Sequence, residues 1–77
     1  MQILIVEDDK PLAQGLQLAL RKQGYAVNHV ENGKDCLHVI ATEDPGIVIL
    51  DLGLPDIDGL KVLQQIRKKY DSLPVIL

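Results

Sequence analysis

The sequence predicts an α/β fold in which helices connect the strands of a parallel sheet. Four short apolar runs recur along the 77 residues, at positions 3–6, 25–30, 47–50 and 74–77. The stretches between these runs carry apolar residues three or four positions apart, which is typical of amphipathic helices. Strands that alternate with helices in this way form parallel sheets with right-handed crossover connections. A chain of this length is expected to form one small domain.

The composition of the runs indicates where each strand lies in the sheet. The first, third and fourth runs are continuous in isoleucine, leucine and valine. Strands of this kind are buried on both faces of a parallel sheet. The run at residues 25–30 contains the polar residues Asn28 and His29, and its apolar and polar residues alternate only in part. We therefore predict that it forms an edge strand.

The intervening segments predict helices at about residues 10–23, 33–41 and 59–70. A residue that can cap the helix stands before each segment, and Gly24 is placed to end the first helix. The capping residues are Asp9, Asn32 and Asp58. The positions expected to face the core are Leu12, Leu16, Ala19 and Leu20 in the first helix, Cys36, Leu37 and Ile40 in the second, and Leu60, Leu63 and Ile66, with Val62 in part, in the third.

Composition and charge exclude several classes of protein. With 47% hydrophobic residues and a net charge of −3, the chain is neither disordered nor basic enough to bind nucleic acid by itself. Its one cysteine, Cys36, excludes an internal disulfide and a cysteine-based zinc site. No apolar run approaches the length of a membrane span, and the start MQILIVEDD lacks the features of a signal peptide. We therefore expect a cytoplasmic protein with no membrane partner.

Acidic side chains follow two of the predicted strands. Glu7, Asp8 and Asp9 come directly after the first strand, and Asp51 ends the third. If these strands are neighbours, their carboxylates converge at the edge where open parallel sheets bind ligands. Clustered carboxylates repel one another unless a cation neutralises them, and oxygen ligands of this kind suit Mg2+. A simpler interpretation also stands, in which the first group caps and solvates a helix and the segment from Asp51 onward is an ordinary acidic turn.

Three motifs carry a family resemblance that covers the whole chain. The segments ILIVEDD, DLGLPDIDG and LPVIL resemble the receiver domain of bacterial two-component response regulators. The spacing of Asp51, Pro55, Asp58 and Gly59 is similar to the phosphorylation loop of that family. The Glu–Asp pair and DLGLPD most resemble the winged-helix transcription-factor subfamily, and within it the regulators of the polymyxin-resistance type. The resemblance implies a flavodoxin-like receiver fold with a parallel sheet of order 2-1-3-4 that ends here after the fourth strand.

The resemblance also implies a role for each site residue. Asp51 resembles the phosphoacceptor, whose carboxylate attacks the phosphohistidine of a sensor histidine kinase and becomes an aspartyl phosphate. Asp8 resembles the direct Mg2+ ligand, Glu7 its companion that acts through water, and the backbone carbonyl of Gly53 the third protein ligand. Phosphoryl transfer of this kind depends on positioning and charge neutralisation. The implied function is control of transcription by a phosphoacceptor domain, which is not an enzyme beyond catalysing its own phosphorylation.

Several features of the family fall outside residues 1–77. They are the signalling Thr or Ser beyond the fourth strand, the Lys that ends a fifth strand, the last two helices with their dimerisation face, and the DNA-binding domain. We therefore expect residues 1–77 to be the N-terminal part of a receiver domain, with DNA contacted only through an absent C-terminal domain. We expect this part to bind Mg2+ weakly, to accept phosphoryl groups slowly and not to signal.

The alternative function belongs to a different class, that of a structural or oligomerising fragment without phosphoryl transfer. A fourth strand of apolar character at the end of the chain exposes an edge of the kind that recruits other chains. On this hypothesis the protein forms a homo-oligomer through residues 74–77. Beryllofluoride with Mg2+ separates the two hypotheses, because only a phosphoacceptor site would respond to it.

Overall fold

A parallel sheet forms the centre of the molecule, which is described by a computed structural model covering residues 1–77. Its strands are β1 (Gln2–Val6), β2 (Ala26–Val30), β3 (Ile47–Leu50) and β4 (Val75–Ile76), and its helices are α1 (Lys10–Lys22), α2 (Gly33–Glu43) and α3 (Gly59–Lys69). The strands lie in the order β2-β1-β3-β4, and every pair is parallel. The predicted α/β fold, the 2-1-3-4 order and the edge position of β2 are therefore confirmed. None of the helices is both long and apolar enough to span a membrane.

Two elements each differ from their predicted bounds by two residues in all, and the other five agree with theirs to within one residue. Helix α2 continues past residue 41 to Glu43, and Asp44 then ends it by adopting the left-handed conformation with a φ of 51°. Strand β4 is shorter than predicted, because only Val75 and Ile76 pair with β3. Pro74 stands before them and has no N–H to donate to a neighbouring strand, so regular pairing begins after it.

Each helix begins at the capping residue that the sequence predicts, because that side chain accepts a hydrogen bond from an otherwise unpaired backbone N–H. The bonds run from the N–H of Leu12 to Asp9 at 3.2 Å, from that of Asp35 to Asn32 at 2.8 Å and from that of Leu60 to Asp58 at 3.0 Å. Helix α1 ends just before Gly24, whose φ of 91° suits a residue without a side chain. These caps fix where each helix starts relative to the strand before it.

Side chains alternate along each strand, so the sheet has two apolar faces. The face covered by α2 and α3 contributes to the larger cluster, which comprises Leu4, Val6, Cys36, Ile40, Val48, Leu50, Val62 and Ile66. The face covered by α1 carries Ile3, Ile5 and Val27, with Leu16, Leu20, Ile47 and Ile49 packed against them. Burial raises the pKa of the Cys36 thiol to about 11, so this cysteine is protonated and unreactive at neutral pH.

The buried sides of α1 and α3 differ in part from the prediction. In α1, Leu12 and Ala19 are exposed, whereas Ala13 is fully buried. The small side chain of Ala13 lets the helix approach the sheet closely, and consecutive helical residues point about 100° apart, so Leu12 turns towards solvent. In α3, Leu60 is exposed and Val62 is fully buried, because residues two positions apart point to nearly opposite sides of a helix.

Candidate functional site

The carboxyl ends of β1 and β3 lie side by side. The two strands pair in parallel with Val6 opposite Leu50, so the residues that follow them start from aligned positions. The N–H of Asp51 donates to the carbonyl of Val6 at 3.0 Å, which continues the pairing beyond the strands. On the other side of β1, the N–H of Glu7 donates to the carbonyl of Val30 in β2 at 3.1 Å. The backbone therefore fixes both acidic residues at one edge of the sheet.

Three carboxyl groups meet at this edge. Ligand oxygens of Glu7, Asp8 and Asp51 all lie within 4.8 Å of one another. Glu7 is only 9% exposed, Asp51 is half-buried and Asp8 is exposed, so the cluster opens to solvent on one side. None of the three forms an ion pair with a basic side chain, since the one ion pair in the molecule joins Lys10 and Glu31. We call these three residues the acidic cluster, and its negative charge is uncompensated.

The pKa of Glu7 is raised above its ordinary value of 4.5. Burial contributes most, because a buried carboxyl group loses the water that stabilises its charged form. A side-chain hydrogen bond with Asp51 also raises the pKa of Glu7, as do the negative charges of Asp51 and Asp8, whereas a backbone hydrogen bond from Asp9 lowers it. The buried carboxyl group therefore holds a proton unusually tightly, and a bound cation would take the place of that proton.

Close packing at Gly59 brings the start of α3 against the backbone that follows β3. The N–H of Gly59 donates to the carbonyl of Leu52 at 3.0 Å. A Cβ atom on Gly59 would lie 2.5 Å from the Cα of Leu52 and 2.7 Å from the carbonyl oxygen of Asp51. Only glycine fits between these backbone atoms, so the residue closes the loop of residues 51–59, which we call the acceptor loop.

The other acidic residues near these strands serve as local caps. Asp9 and Asp58 cap α1 and α3 and are not part of the acidic cluster. Gly53 lies beside the cluster, because its Cβ position would be 3.8 Å from Oδ2 of Asp51. Asp9 therefore follows the simpler interpretation of a helix cap, whereas the structure brings Glu7 and Asp8 together with Asp51.

Two contacts around the site were not predicted from the sequence. The carboxylate of Asp56 accepts hydrogen bonds from the backbone of Gly33 and Lys34, the first residues of α2. The Nε2–H of His29 donates to the carbonyl of Glu7 at 2.8 Å. Each pair is more than 20 residues apart in sequence, so no local spacing signals it.

The order β2-β1-β3-β4 reverses between β1 and β3, and the acidic cluster lies at the carboxyl ends of these two strands. This is the place where open α/β sheets bind their ligands. The chain belongs to the response regulator receiver domain family, whose family model matches residues 3–77. The resemblance drawn from the three motifs is therefore confirmed at the level of the receiver domain. Receiver domains act as phosphoacceptors in two-component systems.

Solved receiver structures are similar to this chain in both fold and sequence. The response regulator TrrA of Thermotoga maritima in complex with Mg2+ and BeF superposes with a TM-score of 0.94 at 36% identity, covering 99% of this chain and 66% of that one. TrrA in complex with the histidine kinase ThkA gives a TM-score of 0.90 at 34% identity, with 96% and 64% covered. The BeF3-activated receiver domain of Klebsiella pneumoniae RstA gives a TM-score of 0.92 at 31% identity, covering 97% of this chain and 63% of that one.

The chain is shorter than the solved chains that it matches. It spans between 55% and 66% of their length. Between 96% and 99% of this chain is covered by these matches. The likeness therefore extends over nearly the whole chain.

Proposed function

We propose that this chain is the phosphoacceptor part of a two-component response regulator and that Asp51 receives a phosphoryl group from a sensor histidine kinase. The observation that carries the proposal is the acidic cluster, in which half-buried Asp51 lies within 4.8 Å of the carboxylates of Glu7 and Asp8. Membership of the receiver family and the likeness to TrrA, which has been seen with a histidine kinase, support it. The domain is not an enzyme beyond catalysing its own phosphorylation.

The donor set of the site suits Mg2+. Hard oxygen ligands from one or two carboxylates, with several waters retained, are the ligands that Mg2+ prefers. We assign direct contacts to Asp8, Asp51 and the backbone carbonyl of Gly53, and a contact through water to Glu7. When bound, Mg2+ would supply positive charge that stabilises the oxygens of the transferring phosphoryl group. The likeness to TrrA in complex with Mg2+ and BeF supports the assignment.

The residues of the chain perform the transfer by positioning. A carboxylate oxygen of Asp51 forms a bond to the phosphorus atom while the bond between phosphorus and the kinase histidine breaks, and the imidazole leaves with that electron pair. The hydrogen bond from the N–H of Asp51 to Val6 holds the attacking residue at the end of β3. Fixed geometry matters more than covalent chemistry in such a transfer, because little other bond making is required.

We also propose a finer assignment within the family. The Glu–Asp pair and DLGLPD support membership of the winged-helix transcription-factor subfamily, of the polymyxin-resistance type. Control of transcription would then pass through a DNA-binding domain outside residues 1–77. A cytoplasmic location is part of the same proposal, since the unpaired Cys36 suits a reducing compartment.

The test is Mg2+-dependent labelling of Asp51. We expect prolonged incubation with acetyl phosphate and Mg2+ to add the mass of one phosphoryl group to the wild-type chain and none to Asp51→Asn. The matched control is Asp9→Asn, which makes the same chemical change at a helix cap outside the acidic cluster and keeps a good capping residue. Intact-mass spectrometry measures the adduct, and chelation of Mg2+ should prevent it. An equal adduct on Asp51→Asn, or none on the wild-type chain, would contradict the proposal.

A second candidate function is self-association through the edge of β4. The outer edge of β4 is unpaired, and Ile76 and Leu77 beside it are 54% and 58% exposed. An apolar strand edge of this kind attracts a second chain, whereas a charge on it prevents pairing. We expect sedimentation at high protein concentration to show association for the wild-type chain and a monomer for Ile76→Lys. A wild-type chain that stays monomeric at the highest concentration would rule this function out.

A further inference from the structure

The carboxylate of Asp56 lies at the N-terminus of a helix to which it does not belong. Its Oδ1 accepts hydrogen bonds from the N–H groups of Gly33 at 2.8 Å and of Ile57 at 2.8 Å, and its Oδ2 accepts one from the N–H of Lys34 at 3.0 Å. Gly33 and Lys34 open α2, and their N–H groups have no partner within the helix. Asp56 therefore joins the acceptor loop to α2 through both of its oxygens.

The packing at the start of α2 leaves little room around this contact. A Cβ atom on Gly33 would lie 2.8 Å from Cγ2 of Val62, 3.2 Å from Cβ of Ile57 and 3.4 Å from Oδ1 of Asp56. Gly33 is buried, and the side chains of α3 and of the acceptor loop press directly against it. The absence of a side chain at Gly33 is what lets Val62 and Ile57 pack so closely against the start of α2, next to the contact that Asp56 makes.

The charge of Asp56 matches its position. The N–H groups of Gly33 and Lys34 lower the pKa of Asp56 below its ordinary value, so the carboxylate is ionised at neutral pH. The N-terminus of a helix carries partial positive charge, which favours an anion there. Hydrogen bonds to a charged acceptor are also stronger than those between neutral groups.

Three attachments hold the acceptor loop, of which the first lies within the loop and the other two join it to the rest of the fold. Gly59 ties its base to Leu52, and Leu54 and Ile57 pack against the larger core cluster. Asp56 supplies the third attachment, on α2. The exposed stretch that contains Gly53 lies between the first attachment and the other two, so its path depends on where they hold the loop.

We propose that Asp56 is a positioning residue, which anchors the acceptor loop on α2 and thereby holds the carbonyl of Gly53 in place beside Asp51. The inference rests on the proposed function, because it concerns the same Mg2+ site. Asp56 touches neither the metal nor the phosphoryl group. It acts through the backbone of the loop, and its loss leaves every ligand of the site present but less well placed.

The test compares Mg2+ affinity among variants by titration calorimetry at a temperature where every variant is folded. We expect Asp56→Ala to weaken Mg2+ binding about tenfold, the size of effect typical of groups that orient metal ligands. Asp56→Asn retains one acceptor oxygen and should fall between the wild-type chain and Asp56→Ala. Both variants lose the same charge, so a difference between them reports the hydrogen bonds alone.

Two further variants separate positioning from stability and from charge. Asn32→Ala removes the cap of α2 and should lower the free energy of unfolding by about 1 kcal/mol without weakening Mg2+ binding. Asp35→Asn removes a negative charge from the first turn of α2 and should change Mg2+ affinity only slightly at high ionic strength. Equal Mg2+ affinity in Asp56→Ala and the wild-type chain would overturn the inference and leave the proposed function standing. A wild-type chain that binds no Mg2+ would overturn both.

Discussion

Replacing Gly59 with alanine should destabilise the domain by about 3 kcal/mol, because the new methyl group has nowhere to go. Its carbon would lie 2.5 Å from the Cα of Leu52 and 2.7 Å from the carbonyl oxygen of Asp51. These are backbone atoms, so no side-chain rotation can relieve the contact, and either α3 or the end of β3 must move. A domain of this size is stable by roughly 4–12 kcal/mol, so the loss is a large fraction of the total. Urea unfolding followed by circular dichroism measures it.

The matched control for this substitution is Gly15→Ala in α1. A Cβ atom on Gly15 meets nothing within 4 Å, and the residue lies inside a helix. Alanine there should raise the free energy of unfolding by about 0.5–1 kcal/mol, because glycine loses more backbone entropy on folding. The same chemical change should therefore have opposite signs at the two positions. Equal effects at Gly15 and Gly59 would show that the close approach at the acceptor loop is not maintained in solution.

Replacing Glu7 with glutamine should stabilise the metal-free domain at neutral pH and remove most of its Mg2+ affinity. Because the pKa of Glu7 is raised above 4.5, the folded state binds the proton more tightly than the unfolded state does. The stability that this proton contributes is fully present below pH 4.5 and is lost as the pH rises through the raised pKa. Glutamine stays neutral and keeps a hydrogen-bond donor for Asp51. The variant should therefore not lose stability as the pH rises through this range. We expect a higher Tm than that of the wild-type chain at pH 7, and no such gain below pH 4.5.

The control for this prediction is Glu43→Gln, at the exposed end of α2, which should leave the pH dependence unchanged. Thermal unfolding measured from acidic to neutral pH, with and without Mg2+, tests the predicted change in stability and the predicted loss of Mg2+ affinity. Mg2+ should stabilise the wild-type chain and Glu43→Gln but have little effect on Glu7→Gln. A Glu7→Gln domain that is less stable than the wild-type chain at neutral pH would contradict the electrostatic account of the acidic cluster.

The strands and the helix starts could be predicted from the sequence because their causes are local. A continuous apolar run such as residues 47–50 is typical of a strand that has helices on both faces, and a residue such as Asp9 lies three positions before the N–H that it caps. The order of the strands is not a local property, and it followed from the resemblance rather than from any spacing. The same holds for the roles of Glu7, Asp8, Asp51 and Gly53, which stay proposals.

The errors arose where packing rather than hydrophobicity decides the outcome. Leu12 is more apolar than Ala13, yet Ala13 is the residue that faces the sheet, because its size sets how closely α1 can approach. The bond between Asp56 and Gly33 spans 23 residues and depends on the path of two loops. Neither hydrophobic periodicity nor a short motif carries information of that kind.

The hydrogen bond from His29 to the carbonyl of Glu7 makes the backbone of Glu7 insensitive to acid, in contrast to the carboxyl group of the same residue. A carbonyl oxygen can only accept, so Nε2 must carry hydrogen, and it does so in the imidazolium as well as in one neutral tautomer. The link between β2 and the turn after β1 therefore persists whether or not the ring is charged. The carboxyl group of the same residue, Glu7, changes charge with pH, while its backbone is held by a contact that protonation of the ring does not break. Acid can thus alter the charge of the acidic cluster without breaking the hydrogen bond that holds the backbone of Glu7.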